Sequence, residues 1–472
     1  MLKAFFKDSL IYSIPTFFSR GLSFLLIPLY TRVLSPEDYG TLDLLLVFAS
    51  FVNVTVALEV SQGVARFYRS ESSAESKVAY ASSGLWFTVF CYGLFLAVSL
   101  YFSEKLATFV MGDVSKETAF RIGVIYIFFN GIYQLIANQA RWELKSSKYA
   151  LISFVMSLLT AMVSVYLAYF LVWGLHGLLI GLTLGSVGGL FTGLWLLRNS
   201  FKPRLDIQRL KQMLLFSSPL VLSGISVIVS TYIDRVMISH YLSISDVGIY
   251  GIAFRLASVI GLLITGFRMA FLPLVYKNFE SPETPQEISS VFRIFIALYL
   301  VIFFLLSVFS REIIVLMTTK EFYEASHLVP ILVPAIMLSQ MYFFAPGIGI
   351  AKKSHYLIWI NLVGALLNTF LNWFLIPYMG VIGAAIATLI GYICIFTMYV
   401  SMSQRLYYVP HSWYRIICFS ILFSCFLAII LFSGIGGALK LLVSIVLVSS
   451  SLWMMLYFRL IDKKEIISLI KG

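Results

Sequence analysis

The 472-residue chain is 60% hydrophobic and 16% aromatic, with only 12% charged residues and a formal net charge of +12. Soluble globular proteins carry about 25% charged residues, so this composition excludes an ordinary soluble enzyme or binding domain. Apolar stretches of about 18 residues or more recur along the whole chain, and each could cross a hydrocarbon core roughly 30 Å thick. The chain is therefore predicted to be an all-α membrane protein.

Hydropathy and helix-breaking residues predict about fourteen transmembrane helices with short connecting loops, so no separate soluble domain is expected. In chain order, the predicted helices cover residues 9–33, 40–66, 80–102, 118–139, 149–172, 175–198, 212–242, 248–275, 289–309, 326–350, 355–376, 380–403, 412–433 and 437–459.

Lysine and arginine are concentrated in the N-terminus, in alternate loops and in the C-terminus, as in the run RNSFKPRLDIQRLK that begins at Arg198. Positive loop residues favour the cytoplasmic side of a membrane. Both termini are therefore predicted to face the cytoplasm. This bias explains most of the net positive charge, so no nucleic-acid partner is expected.

A short motif occurs twice, as LSPEDYG from residue 34 and as LSISDVG from residue 242. Each copy predicts the start of a helix, with Ser35 or Ser243 as N-cap and Asp38 or Asp246 three residues later. Two weaker matches have almost the same offset: SKY at 147 with SHY at 354, and GxxG at 174 with GxxG at 380. The repetition predicts two six-helix lobes.

An even number of helices in each repeat makes the two repeats parallel and relates them by an axis along the membrane normal. The predicted domains are an N-lobe with helices 1–6 at residues 1–200 and a C-lobe with helices 7–12 at residues 201–404. Residues 405–472 are expected to form helices 13 and 14 and a cytoplasmic tail. A substrate site is expected between the lobes.

Polar residues in the first predicted helix lie on one face, because Thr16, Arg20 and Ser23 are spaced by four and three residues. Helix 7, its repeat counterpart, carries a similar serine stripe that ends at Asp234. An ionisable group within a membrane span indicates function unless it has a structural partner. The two stripes therefore predict a wet cavity, with Arg20 as its cation.

Three further arginines, Arg235, Arg255 and Arg268, lie within predicted spans, and the last two have structural alternatives. Asp234 and Arg235 are adjacent, so they point about 100° apart on a helix and are not expected to pair with each other. Arg255 could pair with Asp234, and Arg268 lies near a span end where it could snorkel to the surface.

A cavity lined by arginine and polar groups favours an anionic, hydroxyl-rich cargo, because arginine binds phosphate through two parallel hydrogen bonds. A diphosphate-linked sugar lipid fits this description, although a metabolite anion would satisfy the same charges. The predicted substrate-binding residues are Thr16, Arg20, Ser23, Asn53, Arg235, Tyr250, Arg255 and Arg268.

A second constellation combines Asp234 with Asn368, Asn372 and Thr388. The two asparagines lie four residues apart, so they share one helix face. Oxygen ligands of this kind suit a small cation. The alternative is hydrogen bonding between helices.

Three stretches resemble the polysaccharide transporters of the multidrug/oligosaccharidyl-lipid/polysaccharide (MOP) superfamily. They are PLYTRVLSPEDYGTLDLL, YIDRVMISHYLSISDVGIYGIAFRL and LLNTFLNWFLIPYMGVIGAAIATLIGY. The resemblance implies a V-shaped transporter like those of the multidrug and toxin extrusion (MATE) type. It also implies a flippase in the bacterial inner membrane that moves undecaprenyl-diphosphate-linked oligosaccharide repeat units by alternating access. The product would be O-antigen, capsule or exopolysaccharide.

The same resemblance implies that cavity cations hold the diphosphate and that a cation binds in the second lobe. The matching positions here are Asp234, Asn368, Asn372 and Thr388. Because Asn372 stands where some relatives have a carboxylate, coupling to Na⁺ or H⁺ is left open. A polysaccharide polymerase and a chain-length regulator are candidate partners.

Two other functions are considered. A multidrug or metabolite exporter of the same superfamily usually has twelve spans and acidic cavity residues. A membrane-embedded glycan polymerase or ligase needs a large extramembrane loop with a catalytic acid or base, and no such loop is predicted. The chain is therefore expected not to be an enzyme.

Overall fold

The structure is a computed structural model and describes residues 21–458 except 23 and 354, together with residue 460. Helices dominate these residues, and no strand occurs among them, which confirms the all-α prediction. In the described part of the chain, ten helices are long and apolar enough to cross a membrane. The number rises to twelve if each of two bent pairs is one span. The chain is thus a multi-pass membrane protein.

The described α-helices, numbered here in chain order, are α1 (Ile27–Tyr30), α2 (Pro36–Thr55), α3 (Val60–Ser70), α4 (Ala74–Tyr101), α5 (Ser103–Met111), α6 (Glu117–Trp142), α7 (Ser146–Val165), α8 (Gly174–Leu196), α9 (Ile207–Tyr241), α10 (Ile244–Ala257), α11 (Val259–Asn278), α12 (Thr284–Val308), α13 (Ser310–Met317), α14 (Val329–Leu338), α15 (Gly347–Ile350), α16 (His355–Leu406), α17 (Trp413–Phe432) and α18 (Gly437–Tyr457).

Helix α16 has 52 residues, too many for a single crossing. At 1.5 Å per residue it would be about 78 Å long, more than twice the thickness of a hydrocarbon core. Gly380 interrupts it with φ 61° and ψ −142°, a conformation that residues with a Cβ rarely adopt. The helix therefore consists of two crossings that meet at Gly380, as the predicted helices 355–376 and 380–403 require.

The predicted helix at 40–66 is broken. Helix α2 ends at Thr55, α3 begins at Val60, and the two are bent by 47°. Leu58 (φ 49°) and Glu59 (φ 53°) have left-handed backbone conformations at the break. Such conformations cost of order 1–3 kcal/mol and persist only where surrounding structure imposes them.

The continuous helix predicted at 326–350 is wrong. The structure has a 3₁₀ segment at Lys320–His327, helix α14, a second 3₁₀ turn at Met341–Phe344 and the short α15. Pro334 and Pro346 lie in this region. Proline has no N–H to donate and clashes with the preceding turn, so it shortens or kinks a helix.

The chain divides into two compact units. The first comprises residues 1–252, 317–322 and 369–381, and the second comprises residues 253–316, 323–368 and 382–472. The predicted lobe boundaries at residues 200 and 404 stay a prediction.

In the first unit, α7 and α8 pack through a glycine stripe. A Cβ on Gly181 would lie 2.0 Å from Oγ of Ser164, and one on Gly185 would lie 1.9 Å from Oγ1 of Thr160. Small residues at regular spacing allow two membrane helices to approach closely enough for extensive van der Waals contact.

The repeated motif packs against itself in the first unit. A Cβ on Gly40 would lie 1.8 Å from the carbonyl oxygen of Ile244, and a Cβ on Gly248 would lie 1.9 Å from that of Pro36. Each glycine is the seventh residue of its motif, and each carbonyl belongs to the third residue of the other copy. The motif therefore recurs because α2 and α10 need the same small residue at a reciprocal contact.

Both copies of the motif begin a helix as predicted. Ser35 accepts a hydrogen bond from the backbone of Asp38, whose carboxylate accepts one from the backbone of Ser35. Ser243 likewise accepts from the backbone of Asp246 at 3.1 Å. These bonds satisfy N–H groups that a helix start leaves unpaired.

The core of the second unit is rich in phenylalanine. Ring centroids lie between 4.2 and 6.3 Å apart in a cluster formed by Phe267, Phe271, Phe292, Phe295, Phe343 and Phe344. This packing holds α11, α12 and the 3₁₀ turn at 341–344 together, and one wall of the cavity described below is formed by this turn.

Candidate functional site

A group of charged residues is buried in the first unit. Helix α2 supplies Asp43, α9 supplies Asp234 and Arg235, and α10 supplies Tyr250. Relative exposure is 6% for Asp43, 2% for Asp234, 5% for Arg235 and 0% for Tyr250. We call these four residues, with Tyr232, the Arg235 cluster.

The guanidinium of Arg235 lies between two carboxylates. Its Nε is 3.4 Å from Oδ2 of Asp43, and its Nη1 is 3.2 Å from Oδ1 of Asp234. The Tyr250 hydroxyl donates to the other oxygen of Asp234. The rings of Tyr232 and Tyr250 lie 5.3 and 5.5 Å from the guanidinium carbon, within the range of a cation–π contact.

The expectation that Asp234 and Arg235 do not pair is therefore wrong. Their Cβ atoms diverge on the helix, but the arginine side chain is long enough to fold back to its neighbour. The backbone N–H of Arg235 also donates to Oδ1 of Asp234, at 2.8 Å, which holds that carboxylate toward it. Burial favours this geometry, because a buried charge left without a partner is costly.

This arrangement limits what Arg235 can bind in the observed conformation. An anionic ligand would have to replace a carboxylate that already neutralises the guanidinium in a site with little solvent. Arg235 therefore acts here as a link between α2 and α9. It is not an exposed phosphate ligand in this structure.

A first cavity, of about 200 Å³, lies in the first unit beside the break between α2 and α3. Its polar lining includes Asn53, Glu59, Tyr92, Gln134 and Asn138. The Tyr92 hydroxyl donates to Oδ1 of Asn53 at 2.7 Å. Asn53, one of the predicted substrate-binding residues, thus faces a polar cavity with its amide oxygen already engaged.

A second cavity, of about 270 Å³, lies in the second unit. Its polar groups come from Arg268 and Tyr276 on α11, Tyr342 in the 3₁₀ turn, and Asn361 and Tyr399 on α16. Its walls are otherwise apolar, formed by Leu272, Phe343, Pro346, Leu357, Ile360 and Ile395. We call this the Arg268 cavity.

The sequence indicated Arg268 but missed the other polar residues of this cavity. Tyr276 is eight residues from Arg268 on one helix and could have been found from helical spacing. Tyr342 lies in the segment predicted as one continuous helix, so its direction could not be predicted. Asn361 and Tyr399 come from distant parts of the chain and carry no local signal.

The remaining predicted residues are placed as follows. Thr16, Arg20 and Ser23 lie outside the described residues. Arg255 is half-buried on α10. Asn368, Asn372 and Thr388 are buried in α16, with exposures of 4%, 0% and 3%.

A Cβ on Gly391 would lie 3.2 Å from the Asn368 side chain, so the halves of α16 on either side of Gly380 pack closely at Asn368. Within the described residues, no group of three or more His, Cys, Asp or Glu side chains is arranged to hold a metal ion.

Comparison with known proteins places the chain in a family. The family model described as "Polysaccharide biosynthesis protein" matches residues 5–279, more than half of the chain. The chain belongs to the polysaccharide biosynthesis protein family. A second model, MatE, matches residues 219–374. The resemblance to the MOP superfamily is therefore confirmed.

Relatives within this family are distant. The chain is 24% identical over 391 residues to the "Probable low-salt glycan biosynthesis flippase Agl15" of Haloferax volcanii, covering 82% of this chain and 80% of that protein. It is 26% identical over 250 residues to the "Succinoglycan biosynthesis transport protein ExoT" of Rhizobium meliloti, covering 51% of this chain and 47% of that one. The latter match spans about half the length of the relative.

The family's fold is matched by a solved structure titled "Lipid II flippase MurJ, inward closed conformation". The TM-score is 0.73 at 17% identity, with 95% of this chain and 99% of that chain covered. At this identity the match shows the fold. It agrees with the predicted all-α membrane fold.

Proposed function

We propose that this member of the polysaccharide biosynthesis protein family is a flippase for lipid-linked glycans. Its cargo would be undecaprenyl-diphosphate-linked oligosaccharide repeat units, which it moves across the bacterial inner membrane by alternating access for surface polysaccharide synthesis. The supporting observation is the combination of the family match with a lipid II flippase fold over 95% of the chain. The proposal assigns transport to the chain and no covalent reaction.

The location and partners are part of the same proposal. The charge bias of the loops supports cytoplasmic N- and C-termini. A polysaccharide polymerase and a chain-length regulator are the proposed protein partners, because a flipped repeat unit must be polymerised on the other side of the membrane.

The proposed cargo contacts divide by chemistry. Arg20, Arg255 and Arg268 are proposed to bind the diphosphate, since arginine matches phosphate geometry and stays charged when poorly hydrated. Thr16, Ser23 and Asn53 are proposed to bind sugar hydroxyls, and Tyr250 would join them only in a conformation that frees its hydroxyl, which is buried here and donates to Asp234. Arg235 would join the first set only in a conformation that releases it from Asp43 and Asp234.

Coupling to Na⁺ or H⁺ through Asp234, Asn368, Asn372 and Thr388 also remains a proposal. Both oxygens of Asp234 accept hydrogen bonds from Tyr250 and Arg235, so this carboxylate fits a cation poorly in the observed conformation. We therefore derive no transport step from a bound cation. The test is whether Asp234→Asn weakens the dependence of transport on an imposed Na⁺ or H⁺ gradient, compared with the unchanged protein.

Reconstitution tests the flippase proposal directly. The full chain is placed in liposomes with a fluorescent undecaprenyl-diphosphate-linked oligosaccharide, and an impermeant reductant bleaches the label in the outer leaflet. We expect the bleached fraction to rise above that of protein-free liposomes, because cargo from the inner leaflet becomes accessible. Equal bleaching with and without protein would contradict the proposal.

A second candidate is export of a multidrug or metabolite cargo, which the MatE match over residues 219–374 favours. The same liposomes distinguish the two. An exporter would release an organic cation or metabolite trapped in the lumen and leave the labelled glycolipid in its original leaflet.

A further inference from the structure

The guanidinium of Arg268 is exposed in the Arg268 cavity. Within the described residues it has no hydrogen bond, ion pair or cation–π contact, and none of the residues that line the cavity is Asp or Glu. A cation in a membrane helix with no anionic partner is electrostatically costly. An anionic ligand would remove that cost.

Three tyrosines line the cavity together with this cation. Tyr276, Tyr342 and Tyr399 make no hydrogen bond through their hydroxyls to the described part of the chain. The rings of Tyr342 and Tyr399 lie 4.9 Å apart and are inclined by 31°. Each hydroxyl both donates and accepts, and the Asn361 amide adds two donors and an acceptor. Together these groups match a polyhydroxylated ligand.

The shape and the lining limit the size of that ligand. A volume of about 270 Å³ is at or below the lower end of ordinary ligand pockets, so the cavity suits one part of a larger cargo. Apolar walls with a few convergent polar groups are typical of binding sites that orient their ligand. A purely snorkelling arginine would explain the exposure of Arg268 but not the three tyrosines and the asparagine that line the same cavity.

We infer that the Arg268 cavity is a composite subsite for a sugar phosphate. Arg268 binds a phosphate of a prenyl-linked diphosphate, and the three tyrosine hydroxyls with Asn361 bind the sugar attached to it. This inference rests on the proposed flippase function and deepens it. It assigns recognition of the first sugar to the second unit, where Tyr276, Tyr342, Tyr399 and Asn361 determine specificity.

Equilibrium binding to the full chain in phosphatidylcholine nanodiscs tests the inference. The probes are farnesyl diphosphate, its glucosyl and N-acetylglucosaminyl derivatives, and farnesol. The wild-type protein should bind at least one glycosylated probe more tightly than farnesyl diphosphate, and farnesol most weakly. Arg268→Ala should weaken binding of all diphosphates about ten-fold, since charge-assisted hydrogen bonds are lost.

The tyrosine variants separate sugar recognition from phosphate binding. Tyr342→Phe and Tyr399→Phe keep the rings but remove the hydroxyls, so they should weaken only the glycosylated probe, by several-fold. Arg405→Ala and Tyr414→Phe, at exposed positions of the same unit outside the cavity, are the matched controls and should bind like the wild type.

Four results of the binding experiments would overturn the subsite. Arg268→Ala could leave diphosphate binding unchanged, the phenylalanine variants could weaken all probes alike, or neither sugar could improve wild-type binding. Alternatively, phosphatidylglycerol in the nanodisc could displace the glycosylated probe with equal affinity, which would make this a phospholipid headgroup site.

Transport measurements separate the flippase proposal from the subsite proposal. Wild-type binding without transport contradicts the flippase, and transport unaffected by Arg268→Ala contradicts the subsite.

Discussion

Arg235 in the first unit and Arg268 in the second both lie in membrane helices, but their surroundings differ. Arg235 is 5% exposed and lies within 3.4 Å of carboxylates on Asp43 and Asp234. Arg268 is exposed in a cavity of about 270 Å³ whose lining has three tyrosines and no acid. The first arrangement connects helices, whereas the second leaves the charge available to a ligand.

The difference shows that hydropathy alone does not distinguish a structural cation from a binding cation. What decides the role is the presence of a counter-ion, and one of the two counter-ions of Arg235, Asp43, lies 192 residues away in the sequence. Removing one partner of a buried pair is costly, while truncating an exposed cation is not. Stability measurements on the two sites should therefore differ strongly.

The largest effect is expected from Asp43→Leu. The substitution leaves Arg235 buried with one of its two described carboxylate partners gone. Breaking a buried pair in this way typically costs about 3–5 kcal/mol. We expect a loss of about 3 kcal/mol in the free energy of unfolding, measured by denaturation of the purified protein in detergent.

A double-mutant cycle provides the control. Arg235→Met alone should also destabilise, but Asp43→Leu together with Arg235→Met should cost less than the sum of the single variants, since Asp43 and Arg235 no longer leave each other unpaired and only Asp234 still lacks its cation. Strictly additive losses would mean that the two side chains are not coupled, and the comparison between the two arginines would fail.

A smaller effect is expected from Gly251→Ala, which perturbs the same cluster without altering a charge. An added Cβ would lie 2.2 Å from Oδ2 of Asp43, so the carboxylate must move away from Arg235. Overpacking of this kind costs about 1–3 kcal/mol. Gly93→Ala is the matched control, because its Cβ would meet nothing within 4 Å. Equal stability of the two variants would show that the cluster tolerates displacement.

The second unit has a half-buried titratable group, His411, in the loop between α16 and α17. The pKa of His411 is lowered from 6.5 to about 4, chiefly by burial and to a smaller extent by Arg293, while a hydrogen bond with the Phe344 carbonyl opposes the shift. As the pH falls, His411 is therefore protonated near pH 6.5 in the unfolded chain but only near pH 4 in the folded chain. Stability should fall as the pH drops through this window.

Comparison with His411→Phe isolates this contribution from that of the carboxylates. Between pH 7 and pH 5 the wild type should lose about 1–2 kcal/mol more than the variant, as measured by thermal unfolding. Parallel pH profiles for the two proteins would assign the acid sensitivity of the chain to other groups.

Much of the fold could be predicted from the sequence, because membrane helices are determined by local hydropathy. The break near Gly380 and the helix starts at Ser35 and Ser243 were predicted from single residues with known backbone preferences. The continuous helix predicted at 326–350 is wrong, because Pro334 and Pro346 lie within an apolar run that hydropathy alone predicts as one helix. The first predicted helix lies mostly outside the described residues.

The candidate site was harder to predict, for a physical reason. Arg235 and Arg268 were both identified as intramembrane cations, but their different roles depend on contacts between distant segments. Asp43 reaches Arg235 only after α2 and α9 pack together, and Tyr342 reaches the Arg268 cavity only because the helix around it is broken. The helical period predicts on which face of a helix a side chain lies, but it does not predict which residue that side chain contacts.

The smallest expected effect on stability completes the comparison. Arg268→Ala should change the free energy of unfolding by no more than about 0.5 kcal/mol, because within the described residues no ion pair or hydrogen bond is lost with the side chain. The same denaturation experiment used for Asp43→Leu measures it. A loss of stability as large as that of Asp43→Leu would mean that Arg268 is a structural cation like Arg235. Its guanidinium would then not be available to bind a phosphate. If Arg268→Ala leaves the free energy of unfolding nearly unchanged but weakens diphosphate binding, then Arg268 binds a ligand and does not stabilise the fold.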